Sequence, residues 1–528
     1  MSVHILDCTL RDGGYNNDWN FGEKSIKSVI QNLTDSSVDV IECGFLSQVK
    51  KSTNSNAIFN DFFELNKYLP KVKSRAKYVC MINYGEYPIE KIPNYDGEMG
   101  IDGIRVAFHK KDFNDSMDYC RKLISKGYAV YLQPMVTQNY TDSEILKMID
   151  VANELNPLAL YIVDSFGIMK KKDVMRFLYI IDNALNPNIV IGFHSHNNLQ
   201  LSFSNAQELI EYNTKRDILI DSSVMGMGRG AGNLCTELLA QYLNEMKGSE
   251  YNLIPILRTV DEYINPIFMK CPWGYTIPYY IAAINGCHPN YATYLSERQM
   301  LSVEDINFIV KSIDDKRKGQ FDKEYIEKLY LNFQNSFTED SKEVERVRSI
   351  IGDREVLVLA PGKSLATNEE RIREHIEKNN PIVISVNFYP DFVPVDIVFV
   401  SNSKRTKRIM DSVKEKPIIH TSNVRLSDDT KNTIKINYSD YLVISDGVID
   451  NSGLMLTNLL EKINVKKITL AGFDGYVSDR STNYFTQSMV DAVEIENLNK
   501  INLEFTKRVK HLRNKIPVIF LTDSRYDV

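Results

Sequence analysis

At 528 residues the chain is longer than one hydrophobic core usually supports, and its 43% hydrophobic and 25% charged residues describe an ordinary folded soluble protein of two or more domains. A net charge of −6 offers no basic stripe for nucleic acid. No run approaches the roughly 20 apolar residues of a membrane span, no charged-then-apolar leader opens the chain, and the seven cysteines are never spaced Cys-x-x-Cys, so a cytoplasmic chain with reduced thiols is expected.

From the first residue to about 230, short β-branched runs alternate with longer amphipathic stretches. The runs His4–Thr9, Val38–Phe45, Tyr78–Asn83, Gly103–Phe108, Ala129–Met135, Ala159–Ser165, Val190–His196 and Ile218–Met225 read as eight strands. Helical patterns such as Gly22–Leu33, Asp142–Leu155, Lys171–Ala184 and Leu201–Tyr212 lie between them. Eight strand–helix units in about 230 residues predict an α/β fold of the (β/α)8 TIM-barrel kind rather than an open sheet.

Barrel enzymes build their sites from the C-terminal ends of their strands, and here each run ends in chemically capable residues. Arg11 and Asp12 follow the first, Glu42 lies in the second, Asn83 ends the third, and Arg105 lies in the fourth. Gln133, then Asp164 and Ser165, then His194 and His196 follow in the next three, and Gly226-Met-Gly-Arg-Gly-Ala-Gly-Asn233 comes after the eighth. Alternate residues of a strand point the same way, so His194 and His196 share a face. With the carboxylate of Asp12 they offer a ligand set for Mn²⁺ above all, or Mg²⁺ or Zn²⁺, with open positions for substrate. Arg11 beside that carboxylate can hold a developing oxyanion.

Residues 235–345 read as helices around the aromatic cluster Cys271–Tyr280 and the segment His288-Pro-Asn-Tyr291, and the charged stretch Ser312–Arg348 looks like a connector. Strand–helix alternation resumes with Glu355–Ala360, Ile382–Asn387, Asp396–Asn402, Ile418–Asn423, Lys467–Asp474 and Pro517–Thr522. The expected organisation is a barrel over 1–290, a helical extension and linker over 291–349, and a smaller Rossmann-like open α/β domain over 350–528.

Three segments, Asp7-Cys-Thr-Leu-Arg-Asp-Gly13, His194-Ser-His-Asn-Asn198 and the glycine-rich loop ending at Asn233, together resemble the DRE-TIM metallolyase family over about residues 1–300. That family includes 4-hydroxy-2-oxovalerate aldolase, 3-hydroxy-3-methylglutaryl-CoA lyase and isopropylmalate synthase. The resemblance implies a divalent metal held by Asp12, His194 and His196, with Asn233 at or near it, and enolate chemistry in which Arg11 stabilises the enolate. The two histidine-asparagine and glycine-loop segments look most like the aldolases. No cysteine stands between Gly226 and Asn233, which disfavours the CoA-ester lyase, and Arg11-Asp-Gly-Gly-Tyr-Asn-Asn17 lacks the Glu-Gln of the acyl-CoA condensing synthases, which stay the alternative. The aldolases keep a histidine base shortly after Arg-Asp-Gly, where this chain has Tyr15. Tyr15, His109, Tyr275 and His288 are therefore all candidates for the base, with Glu42, Arg105, Gln133 and Asp164 as candidate substrate contacts. A 2-oxo acid and an aldehyde are the implied substrates, and a homo-oligomer is expected.

In the second half, Ala360-Pro-Gly-Lys-Ser364 invites a P-loop reading, but such a loop needs a glycine at the position of Leu357, inside the strand. Ala360–Leu365, Ser385–Tyr389, Asn451–Leu454 and Ala471–Asp474 instead resemble the Rossmann-like domain of bacterial sialyltransferases and of a pterin pyrophosphokinase family. That implies a nucleotide or nucleotide-sugar cleft lined by Gly362, Ser364, Asn387 and Asn402, and hence a bifunctional protein with a transferase half; a domain kept for assembly or partner docking is the other reading.

Overall fold

The computed structural model describes residues 2–528 apart from 73, 98–99, 299, 335–337, 414–415, 428–429, 446, 480–482 and 486–494. The chain forms two compact units, Met1–Asn290 with Lys318–Gln320, and Tyr291–Arg317 with Phe321–Val528.

In the first unit the parallel strands β1 (Val3–Asp7), β2 (Val40–Leu46), β3 (Lys77–Asn83), β4 (Gly103–Phe108), β5 (Ala129–Pro134), β6 (Ala159–Asp164), β7 (Val190–Ser195) and β8 (Ile218–Ser222) pair in chain order. Pairing of β1 with both β2 and β8 closes them into an eight-stranded barrel. Such strands are covered on both faces, which is why they read as continuous apolar runs; all seven residues of β2 are buried. Helices α1 (Glu23–Asp35), α2 (Phe113–Ser125), α3 (Asp142–Leu155), α4 (Lys171–Ala184), α5 (Ser202–Glu211) and α6 (Thr236–Lys247) follow β1, β4, β5, β6, β7 and β8. After β2 and β3 the described residues carry 3-10 turns instead, Phe62–Lys67 and Ile89–Lys91.

Two cores result from the two-residue period of the strands. Outward residues such as Ile5, Ile41, Ile104, Ile191 and Phe193 pack against the helices. Inward residues Leu6, Val40, Val79, Tyr131, Tyr161, Val163 and Leu219 fill the barrel. Gly192 is required by that filling, since a Cβ there would lie 2.3 Å from the ring of Tyr161. The alternation that sends Phe193 outward sends His194 inward at the C-terminal end of β7.

The second unit holds seven parallel strands, β9 (Val356–Leu359), β10 (Ile382–Val386), β11 (Ile397–Val400), β12 (Ile418–Thr421), β13 (Thr433–Ile436), β14 (Ile468–Ala471) and β15 (Val518–Phe520), in the order β13-β12-β11-β10-β9-β14-β15. This sheet has one more strand than expected: β13 is a four-residue edge strand with Lys435 exposed, too short and too polar to stand out. The charged stretch before β9 is not a bare connector. Its helix Ser341–Ile351 buries Val344, Val347 and Ile351 in the core of this unit, an i, i+3, i+7 stripe hidden by the surrounding charge. Among the described residues no helix is long and apolar enough to cross a membrane.

Candidate active site

The turn after β1 delivers the first site residues. The amides of Arg11 and Asp12 both donate to the carbonyl of Cys8, at 3.1 and 2.8 Å, and the indole of Trp19 donates to the carbonyl of Arg11 at 2.7 Å. Gly14 lies under that indole, where a Cβ would stand 2.0 Å from the ring. Asp12 so placed faces His194 and His196, and the three offer ligand atoms all within 4.8 Å of one another, all buried.

Each donor is oriented by a neighbour. His194 Nδ1 lies 2.8 Å from Asp221 Oδ2 on β8, which leaves Nε2 for the cavity. Asn233 donates Nδ2 to Asp12 Oδ2 at 2.8 Å and to the carbonyl of Met227 at 3.1 Å, while its Oδ1 is buried without a hydrogen-bond partner. His196 Nδ1 is likewise buried without one, 3.8 Å from Asp12. Burial pushes His196 down to about 3 against the pull of Asp12, so it is neutral at pH 7. For Asp12, burial works upward, but Arg11 and the imidazoles outweigh it and hold the carboxyl well below its usual range.

Below these donors runs a ladder of buried charge. Arg11 donates Nη1 to Asp12 and Nε to Glu42 Oε2 at 2.8 Å, Arg105 Nη1 stands 2.8 Å from the same Glu42 oxygen, and Arg105 Nη2 pairs with Asp221. Three carboxylates and two guanidiniums leave one net negative charge on the ladder. A carboxylate, two imidazoles, one excess negative charge and two orphaned polar atoms fit a divalent cation. A second grouping, Cys8 with His194 and Asp221, suits one less, because Asp221 is already spent on Arg105 and His194 and burial keeps the Cys8 thiol protonated.

The glycine-rich loop after β8 completes the mouth. A Cβ at Gly228 would lie 2.4 Å from Asn233 Nδ2 and 2.9 Å from Asp12 Oδ2, and one at Gly232, with φ +85°, would lie 2.0 Å from the carbonyl of Gly226. Asn198 ties the loop down by accepting from the amide of Ala231 at 2.7 Å and donating to the carbonyl of Phe166 at 2.9 Å. Arg229, the loop's one charged side chain, stands over the ring of Tyr15 at 5.5 Å, reaches the carbonyl of Ser165 at 3.3 Å, and has a buried, unbonded Nε. No carboxylate pairs with it among the described residues. An inner cavity of about 480 Å³ holds Arg11, Asp12, Tyr15, Gln133, His194, His196 and Arg229. An outer one of about 880 Å³ adds Glu86, His109, Asp112 and His288.

The expected site residues thus separate. Arg11, Asp12, Tyr15, Gln133, His194 and His196 meet in one cavity, and Asn233 braces it. His288 stands in the outer cavity with Nε2 3.4 Å from Arg229 Nη1; burial, Arg229 and His196 push it down to about 3. Burial instead pushes the Tyr15 phenol up, away from a basic role. Tyr275 is exposed and lines neither cavity. Glu42, Arg105 and Asp164, expected as substrate contacts, line neither cavity: the first two are rungs of the buried ladder. Asp164 accepts the amides of Ile168 and Met169 at 2.9 and 3.0 Å, shaping the loop after β6, and burial pushes it up to about 7. Sequence reasoning misses Asp221 and Arg229, though a carboxylate at an inward position of Ile218-Leu-Ile-Asp221 and a lone charge among glycines were the available signals.

In the second unit a cleft of about 660 Å³ opens at the C-terminal ends of β9, β10, β11 and β14, lined by Gly362, Asn387, Asn402, Arg405, Phe473 and Tyr484 among others. Ser364 is not among its lining. Its amide donates to Asp474 at 2.7 Å and its hydroxyl bonds the same carboxylate, which therefore occupies the place an incoming phosphate would take.

Residues 103–261 match the HMGL-like family model. The chain is 26% identical over 270 residues to a 4-hydroxy-2-oxovalerate aldolase from Geobacillus genomosp. 3, covering 51% of this chain and 78% of that one. It is 23% identical over 239 residues to an oxaloacetate decarboxylase from Mycobacterium tuberculosis, covering 45% and 69%. Among solved structures, the N-terminal domain of a candidate aldolase from Bacteroides vulgatus aligns with 25% identity and a TM-score of 0.46, over 55% of this chain and 96% of that one.

Proposed function

We propose, from the premise that residues 103–261 form an HMGL-like domain, that the first unit is a divalent-metal-dependent carbon–carbon lyase that makes or breaks 4-hydroxy-2-oxo acids. The observation that carries this reading is the Asp12, His194 and His196 donor set beside Arg11 on the floor of the barrel-mouth cavity. The names of the matched relatives agree in chemistry. Cleaving 4-hydroxy-2-oxovalerate and decarboxylating oxaloacetate both break a bond to the carbon next to the 2-oxo group, leaving negative charge shared with the oxo oxygen.

Asp12, His194 and His196 would hold the cation, with the unpartnered Oδ1 of Asn233 beside them; Mn²⁺, Mg²⁺ or Zn²⁺ suits such an oxygen–nitrogen set. When bound, it supplies Lewis-acid polarisation of the 2-oxo carbonyl. Arg11 has its Nε and Nη1 fixed by Glu42 and Asp12, so Nη2 is the donor free to meet the oxygen on which charge develops. His288, with Nδ1 accepting the amide of Asn290 at 3.2 Å and Nε2 against Arg229, holds the Arg229 side chain at the mouth, and Tyr15 keeps its proton and donates to the 4-hydroxyl oxygen. Protein stripped of divalent ions should not exchange the methyl protons of pyruvate with D2O and should regain exchange on addition of Mg²⁺. Equal rates in the stripped and reloaded protein would contradict the reading.

For the second unit we infer a nucleotide-type ligand. The cleft opens where strand order reverses, between β9 and β14, which is where open parallel sheets bind ligands, and it combines aromatic rings with amide side chains and Arg405. Gly362, Asn387 and Asn402 line it; because Asp474 fills the turn at Ser364, the phosphate would lie elsewhere in the cleft. CMP at millimolar concentration should raise the melting temperature of the full-length protein's second unit. No shift with CMP, UMP or AMP would count against a nucleotide.

A further inference from the structure

The lyase reading leaves the aldehyde unspecified, and any assignment of that aldehyde rests on the lyase reading. The inner and outer cavities adjoin, since Tyr15, Asn83, Ala107, Met135, Ser165 and Arg229 line both. The floor, with its carboxylate and imidazole donors, takes the 2-oxo acid, so the aldehyde approaches from the outer cavity, nearly twice the size.

That outer cavity is walled for hydroxyl groups. Asp112 stands at the N-cap of α2, where an aspartate ordinarily accepts a helix amide, yet it makes no cap hydrogen bond. His109, at the N-cap of the 3-10 turn Lys110–Asp112, makes none either, and neither side chain has another hydrogen-bond partner among the described residues. Both line the outer cavity and not the inner one. Glu86 is held on the same wall by Asn83 Nδ2 and by the Ser47 hydroxyl, each at 2.9 Å. Arg229 sits at the junction with its buried Nε unbonded. An alkyl chain here would strip water from these groups and return no hydrogen bond, whereas hydroxyls would satisfy them.

We propose that the second substrate is a polyhydroxylated, sugar-type aldehyde. Its C1 meets C3 of pyruvate at the junction beside Arg229, and its chain hydroxyls bond Asp112 and His109 in the outer cavity. In the forming direction C3 of pyruvate gives up a proton, the C3–C1 bond forms and the aldehyde oxygen takes up a proton, so no oxidant or reductant is needed.

The test gives the Mn²⁺-loaded full-length protein pyruvate with D-erythrose, and in parallel with butanal, which matches its carbon count without the hydroxyls. The kcat/KM for erythrose should exceed that for butanal by at least about 100-fold, since a site built for hydroxyls rejects the analogue that lacks them. Asp112→Ala and His109→Ala should each narrow that ratio at least about tenfold, as befits loss of one such partner. Butanal used as well as erythrose, or a ratio unmoved by both substitutions, would overturn the proposal. Exchange of the pyruvate methyl protons in D2O without any aldehyde keeps the two levels apart. Exchange with no sugar preference sinks only the aldehyde assignment, and absence of exchange sinks the lyase reading itself.

Discussion

His196→Ala should abolish metal-dependent turnover while the protein stays folded. His196 Nδ1 makes no hydrogen bond that the substitution would break, so the loss falls on the donor set. Removing one of three donors forfeits several kcal/mol of Lewis-acid stabilisation, about three orders of magnitude in kcat/KM. Far-ultraviolet circular dichroism and the melting temperature of the metal-free variant should match those of the parent. His194→Ala should lose activity equally and stability as well, because it strips a buried partner from Asp221. A His196→Ala enzyme within tenfold of the parent would show that the donor set is not the site of chemistry.

Arg105→Met should be the most destabilising single change in the barrel. Arg105 is fully buried, bridges Glu42 and Asp221, and packs 4.9 Å from the ring of Tyr161. Removing a buried cation leaves two carboxylates facing each other in a dry interior, a loss of about 3–5 kcal/mol. In a unit of this size that lowers the melting temperature by roughly 10 °C. Lys77→Met supplies the control. Its ammonium pairs with Asp102 at 3.1 Å but is more than half exposed, and solvent screening holds its effect to within about 1 kcal/mol. Equal stability of the two variants, measured by thermal or urea unfolding, would show that the ladder is not a structural unit.

These two residues also mark where the sequence was legible. His194, His196 and Asp12 stood out because a period of two and a tight turn put them on one face within short segments. Eight buried parallel strands announced themselves as apolar runs. Arg105 and Glu42 were visible as polar residues at strand ends, but whether such a group meets substrate or another charge depends on what the opposite wall supplies, and Asp221 comes from a strand 116 residues away. Arg229 was hidden inside a motif whose glycines drew attention to backbone. β13 lacked the length to register, and the helix Ser341–Ile351 concealed three core residues among charges. Ser364 sat where a phosphate-binding turn would put it, and only the fold brings Asp474 onto its amide.

A lyase of the proposed kind removes a proton from C3 of a 2-oxo acid. Proton NMR of pyruvate in D2O with the Mg²⁺-loaded protein tests it most directly, because it needs no second substrate. The methyl signal should disappear at a rate proportional to protein, and a chelator or His196→Ala should abolish that loss. A methyl signal that persists in the presence of the metal-loaded parent protein would contradict it.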